Sequence, residues 1–74
     1  MNRPLYVHAE WDEASAVWVA TSDAVPGLAT EAATTEELVS KLRTLIPELL
    51  EANGVSIDLP WTFELLTRRF ELVA

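Results

Sequence analysis

The spacing of apolar residues differs between the first part of this chain and its middle, and this difference limits the folds open to it. Residues 5–12 alternate apolar and polar side chains, so that one side of the segment consists of Leu5, Val7, Ala9 and Trp11. Residues 38–50 instead repeat apolar side chains at intervals of three and four. The first pattern is typical of a half-buried strand and the second of an amphipathic helix. The chain must therefore combine a sheet with a helix.

Two turn signals precede the helix. The sequence DEAS follows the first strand as a turn, and AVWVAT, residues 16–21, is rich in the β-branched and aromatic side chains that favour a second strand. Asp23, Pro26 and Gly27 then interrupt the strand pattern, because proline fixes φ and glycine can adopt a positive φ. After this bend, GLATEA is predicted to form a short third strand.

The helix has start and stop signals of its own. Thr34, followed three residues later by Glu37, fits a capping box, in which each side chain accepts a hydrogen bond from a free backbone N–H group. Asn53 and Gly54 are predicted to end the helix. The stripe that faces the core consists of Leu38, Leu42, Leu45 and Leu49, widened by Val39, Ile46 and Leu50.

Pro47 falls within this helix, on the side away from the leucine stripe. It removes one backbone hydrogen bond and crowds the carbonyl group of Arg43. We expect a kinked single helix, and the alternative is two helices broken at Ile46.

The last part of the chain is predicted to return to the sheet. VSIDLP is a connector with some strand character, and WTFELLTRRFELVA, residues 61–74, is interpreted as one long final strand. Its phase changes midway, which places apolar side chains on two faces: Trp61, Phe63 and Leu65 on one, and Leu66, Phe70 and Leu72 on the other. A bulge, or burial of both faces, would explain the change.

These elements predict an α+β fold of order β-β-β-α-β, with a small antiparallel or mixed sheet and one long helix on one face. We expect a single domain over residues 1–74 and no DNA-binding domain at its C-terminal end. A single helix leaves the second face of the sheet uncovered. The candidate interface residues on that face are Trp18, Leu66, Phe70 and Leu72, with Tyr6 beside them.

Size and charge limit the partners of such a domain. A core built from 74 residues without cysteine is thin, so we expect a homo-oligomer, most simply a dimer. The formal net charge of −7 disfavours direct binding to nucleic acid, which draws on phosphate neutralisation. An acidic surface suits a basic protein partner or serves only solubility. We expect a cytoplasmic protein without contact to a membrane, since no apolar run reaches the length of a span and nothing indicates secretion.

Side chains suited to catalysis are few. His8 is the only histidine, and the chain offers no cysteine with which it could share a metal. A carboxylate-dependent nuclease would draw on Asp12, Glu13, Asp23 and Glu31, but their spacing does not force them together. Acidic residues, rather than basic ones, separate the aromatic side chains, which favours core or interface packing over base stacking. We therefore expect no metal, no cofactor and no enzymatic activity.

The string WVATSDAVPGLATEAATTEEL resembles the central signature of HicB-type antitoxins, in which a Trp-Val strand leads through an Asp and a Pro-Gly bend to a short strand and a Thr-x-Glu-Glu helix start. The stretch from Trp11 to Gly54 also resembles short HicB-like domains of unknown function. This structural signature consists of Asp23, Pro26, Gly27, Thr34 and Glu37. The resemblance implies a truncated RNase H-like fold that lacks the catalytic carboxylates.

In function, the resemblance implies an antitoxin that binds and neutralises a small basic HicA-type mRNA interferase by masking the catalytic histidine of the toxin. Two alternatives stay open from the sequence. One is an orphan oligomeric domain without a toxin partner, and the other is a carboxylate-dependent nuclease.

Overall fold

The computed structural model describes residues 4–56 and 61–74. Its elements are β1 (Leu5–Asp12), β2 (Val17–Thr21), β3 (Ala29–Ala32), α1 (Thr35–Ala52) and β4 (Phe63–Arg68). The predicted order β-β-β-α-β and the α+β fold are confirmed. The four strands form one mixed sheet in the order β3-β2-β1-β4, in which β1 is antiparallel to β2 and parallel to β4.

The turn between β1 and β2 is organised by Asp12. Its Oδ1 atom accepts hydrogen bonds from the backbone N–H groups of Ala14, at 3.1 Å, and Ser15, at 3.3 Å. A short side chain that bonds the backbone two residues on is the mechanism by which aspartate favours turns. The turn predicted at DEAS is confirmed, and Ala16 completes it with a positive φ of 54°.

The bend before β3 is a β-turn across residues 25–28. The N–H group of Leu28 donates to the carbonyl oxygen of Val25 at 3.2 Å, and Gly27 has a φ of 80°. Proline at the second position and a positive φ at the third are features of a type II turn. Because Val25 and Leu28 are both buried, the bend also contributes to the core.

Both ends of α1 are capped, but at the N-terminal end only the Thr34 half of the predicted capping box is formed, without the reciprocal bond from the Thr34 N–H to the Glu37 carboxylate. Thr34 Oγ1 accepts the backbone N–H of Glu37 at 3.1 Å. At the other end the N–H of Val55 donates to Leu50 O at 2.9 Å, and the N–H of Gly54 donates to Glu51 O at 3.0 Å. This pair of bonds, with a positive φ at Gly54, is the Schellman motif.

The helix is continuous across Pro47, so the alternative of two helices is wrong. Pro47 is exposed, which lets water reach the backbone carbonyl group that the proline leaves without a donor. The fully buried line of α1 consists of Leu38, Leu42, Ile46 and Leu50, with Leu45 and Leu49 half-buried beside it.

The core lies between this line and one face of the sheet. Ala9 and Ala20 are partners across β1 and β2, and both are buried, as is Ala32 on β3. These small side chains allow the helix to approach the sheet closely, while Val7 fills the space beside them.

The last strand is shorter than predicted. β4 ends at Arg68, and residues 69–74 form no strand. Within β4 the alternation is regular, since Phe63 and Leu65 are half-buried and the residue between them is exposed. The predicted change of phase therefore reflects chain that leaves the sheet, rather than a bulge. Residues 55 and 56 are not in a strand, and the rest of the predicted VSIDLP connector, residues 57–60, lies outside the described residues.

Candidate functional site

The face of the sheet turned away from α1, here called the open face, is the main candidate site. Side chains alternate between the faces of a strand, and register partners share a face, so the pairing of the strands defines its members. They include Tyr6, His8 and Glu10 on β1, Val19 and Thr21 on β2, Glu31 on β3, and Glu64, Leu66 and Arg68 on β4.

The open face has an apolar part between β1 and β4, here called the apolar centre. Leu66 is the register partner of His8, and Tyr6 lies two residues away along β1. Tyr6 retains 50% of its accessible surface and Leu66 retains 42%. Together with His8, Asp23 and Ala24 they line a shallow depression. An exposed aromatic and a leucine in one depression are a suitable anchor site for a partner's side chains.

Ser22 holds the segment that borders this depression. Its hydroxyl donates to the carbonyl oxygen of Tyr6 at 2.5 Å and accepts the backbone N–H of Ala24 at 3.1 Å. Asp23 lies in the segment that bends away from β2, and its side chain is exposed, while the neighbouring Ser22 makes the side-chain hydrogen bonds of this segment. The sequence signal for this role of Ser22 is its position just after a strand, because serine hydroxyls often bond the backbone two residues further on.

Charged side chains, here called the acidic surround, occupy other positions of the open face. Glu10, Glu31 and Glu64 are exposed on three different strands of the open face. Arg68 is a basic side chain on the same face. It lies on β4 and is the register partner of Glu10. In composition, the open face is an apolar centre with a mainly acidic surround.

Trp18 is not on the open face, which corrects its place among the candidate interface residues. It pairs with Trp11 and Ala32, and so lies on the face that α1 covers. It is half-buried against the core, and its ring meets that of Trp11 edge to face at 5.3 Å between centroids. The four-residue hairpin loop sets this register, which places Trp18 with Ala9 and Ala20.

The other candidate interface residues are divided between the sheet and the tail. Leu66 is on the open face, as predicted, whereas Phe70 and Leu72 follow the end of β4 and are 78% and 93% exposed. The guanidinium of Arg68 lies over the Phe70 ring at 4.7 Å from its centroid.

Trp11 and Arg69 form a contact that is not predicted from the sequence. The guanidinium of Arg69 lies over the Trp11 ring at 4.3 Å, and Arg69 Nε donates to Glu71 Oε1 at 2.5 Å. Trp11 Nε1 donates to Glu13 Oε2 at 2.6 Å. These contacts position the first residue of the tail at the hairpin end of the sheet.

The residues weighed for nuclease chemistry are not brought together. Asp12 lies at the hairpin end of β1 and is engaged with backbone N–H groups, whereas Asp23 follows the far end of β2. Within residues 4–56 and 61–74, no three histidine or acidic side chains are grouped closely enough to hold a metal ion. In the same residues, α1 lacks the apolar length needed to cross a membrane.

Comparison with known proteins gives a family and a solved structure. Residues 4–73 match the domain of unknown function DUF1902. The crystal structure of hypothetical protein TTHA1013, from the extremely thermophilic bacterium Thermus thermophilus, is 54% identical to this chain and superposes with a TM-score of 0.76. The match covers 97% of this chain and 99% of that one. No curated protein matches the chain.

Proposed function

The chain belongs to the DUF1902 family of domains of unknown function, and from its open face we propose that it is a non-catalytic protein-interaction module of the antitoxin type. The partner is a small basic protein, of the class of HicA-type mRNA interferases. The observation that carries this proposal is the exposed apolar centre of the open face within its acidic surround.

The apolar centre supplies the anchor. Tyr6 and Leu66 are both large and about half exposed, although they belong to the sheet and not to a loop. Tyrosine is enriched among the residues that dominate binding energy, because it buries a large area with little loss of conformational freedom. A rigid sheet presents such side chains with little rearrangement.

The acidic surround sets the charge of the partner. The whole chain has a net charge of −7, and the open face carries Glu10, Glu31 and Glu64. A field of one sign increases the rate of encounter with a partner of opposite sign and disfavours acidic competitors. A basic ribonuclease meets this requirement, and nucleic acid does not.

The class of partner rests on the resemblance to HicB-type antitoxins. The signature that carries the resemblance forms the bend and the helix start, with a type II turn at Pro26 and Gly27 and an N-cap at Thr34. The bend follows directly on Ser22, Asp23 and Ala24, which border the apolar depression. The shared signature thus lies next to the surface proposed to bind.

The test is inhibition of RNA cleavage by a HicA-type interferase encoded in the same genome. Increasing amounts of this chain are expected to abolish cleavage at a fixed stoichiometry. Tyr6→Ala removes the anchor and Glu31→Lys reverses a charge of the surround, so both should weaken inhibition. Glu48→Lys, on the exposed side of α1, is the matched charge reversal and should inhibit like the wild type.

Two results would contradict the proposal. One is an undiminished rate of cleavage at a large excess of the wild-type chain. The other is equal loss of inhibition in Glu31→Lys and Glu48→Lys, because net charge alone, and not the open face, would then explain the effect.

A further inference from the structure

The two edges of the sheet differ in their protection. At the β3 edge, the Lys41 side chain reaches from α1 and donates from Nζ to the carbonyl oxygen of Glu31 at 2.6 Å. A lysine placed against an edge strand is a common means of preventing further strand pairing. Along the β4 edge, no strand pairs on the outer side among residues 4–56 and 61–74. β4 is therefore the edge at which the sheet can be extended.

The direction of the peptide groups on β4 follows from one hydrogen bond. The N–H of Leu5 donates to the carbonyl oxygen of Thr62 at 2.9 Å, so Thr62 directs its peptide groups toward β1. Peptide directions alternate along a strand, hence those of Phe63, Leu65 and Thr67 point outward. These are the groups that a further strand would have to pair.

The side chains of β4 are complementary to their own antiparallel copy. On the open face the order is Glu64, Leu66, Arg68, which is acidic, apolar, basic. A two-fold axis at Leu66 places Leu66 against the partner's Leu66 and Glu64 against the partner's Arg68. In the same register Leu65 and the partner's Thr67 are opposite, and both have outward peptide groups, as a hydrogen-bonded antiparallel pair requires.

We propose that the outer edge of β4 binds a second copy of the chain. The two β4 strands pair antiparallel, and the pairing is centred on Leu66. Other registers fit less well. A shift of two residues sets Leu66 against Glu64 or Arg68 and leaves charges without partners. A shift of one residue exchanges the faces and breaks the match of outward peptide groups. The closed two-fold arrangement uses the same surface on both copies.

The C-terminal tail enlarges the contact. Pairing of a six-residue strand alone buries less area than a stable dimer needs. Continued in the same register, the tail brings Phe70 opposite the partner's Thr62. Phe70, Leu72 and Val73 are 78%, 93% and 91% exposed, so a second copy can remove large apolar surface from water there. The open faces of both copies lie on one side of the joined sheet.

A charge exchange tests the proposal by sedimentation or light scattering at micromolar concentration. The wild type should be a dimer. Glu64→Arg and Arg68→Glu each set like charges opposite one another and should each raise the dissociation constant at least about tenfold. The double variant Glu64→Arg/Arg68→Glu restores both opposite-charge pairs and should dimerise within about threefold of the wild type.

Two further variants separate pairing from folding. Thr67→Pro removes an outward N–H group from the edge, which an edge strand tolerates, and should give a monomer with unchanged circular dichroism. Glu48→Arg is the control charge reversal on α1 and should stay dimeric. A monomeric wild type, or a double variant as dissociated as the single ones, would overturn the proposal. The dimer does not depend on toxin binding, since Glu31→Lys should lose inhibition and remain a dimer.

Discussion

At the scale of single residues, Gly27 has a backbone conformation that residues with a side chain rarely adopt. Its φ of 80° lies in the left-handed region. A Cβ atom there would meet Leu49 Cδ2 at 3.8 Å, which is an ordinary contact, so the cost of a larger residue comes from the backbone. We expect Gly27→Val to lower the free energy of unfolding by about 1–3 kcal/mol.

The control for this prediction is Ala29→Val, in the exposed part of β3. A strand accepts a β-branched side chain, so the change in stability should be within about 0.5 kcal/mol. Denaturant unfolding of both variants measures the difference. Equal midpoints would show that the turn does not need the positive φ.

The sequence revealed residues whose roles depend only on their neighbours. Gly27, Thr34 and Asp12 act within three residues of their own positions, where turn and cap rules apply. It did not reveal the contact of Arg69 with Trp11, because these residues are brought together by the pairing of β1 with β4. Residue types alone do not encode such a neighbour.

At the scale of elements, the N-cap of α1 is a separable source of stability. Thr34 Oγ1 satisfies the backbone N–H of Glu37, which has no partner within the helix. Thr34→Ala should therefore destabilise the fold by about 1 kcal/mol. Thr44→Ala, at an exposed position inside the helix, should be neutral or slightly stabilising, since alanine has the higher helix propensity. Thermal unfolding of the two variants measures the difference in stability. An equal loss of stability in both variants would contradict a specific role of Thr34 as the cap.

The β3 edge gives a second prediction at this scale. Lys41→Ala frees the carbonyl oxygen of Glu31 and removes the charge that opposes strand addition. We expect species larger than the wild-type assembly in light scattering, growing with concentration. Arg43→Ala removes an equal charge from an exposed position of α1 and should not change the mass. The same mass for Lys41→Ala and the wild type would show that Lys41 does not protect the edge.

Elements were predictable where a period extends over many residues. β1 and α1 have eight and 18 residues, and both were identified from their apolar spacing. The face of the sheet on which Trp18 lies was not predicted correctly, because it depends on the register set by the hairpin loop. The end of β4 was also missed, since apolar residues continue past Arg68 although the pairing with β1 stops there.

At the scale of the whole molecule, the few basic side chains are largely engaged within the chain. Lys41 bonds a backbone carbonyl oxygen, Arg69 pairs with Glu71, and Arg68 lies over Phe70. Against 12 acidic residues there are five basic ones in all. A surface that binds RNA needs several free cations along one groove, because affinity comes from release of counterions from the phosphates.

We therefore expect the isolated protein neither to bind nor to cleave RNA. Low salt is the most demanding condition, since electrostatic attraction to phosphate is strongest there. Polarisation of a labelled single-stranded RNA should stay unchanged at micromolar protein, and the RNA should stay intact with Mg²⁺ or Mn²⁺. Asp12→Asn is the informative variant, because its side-chain oxygen can still accept the N–H groups of Ala14 and Ser15 and preserve the turn. Cleavage by the wild type that this substitution abolishes would contradict the prediction and favour a carboxylate-dependent nuclease.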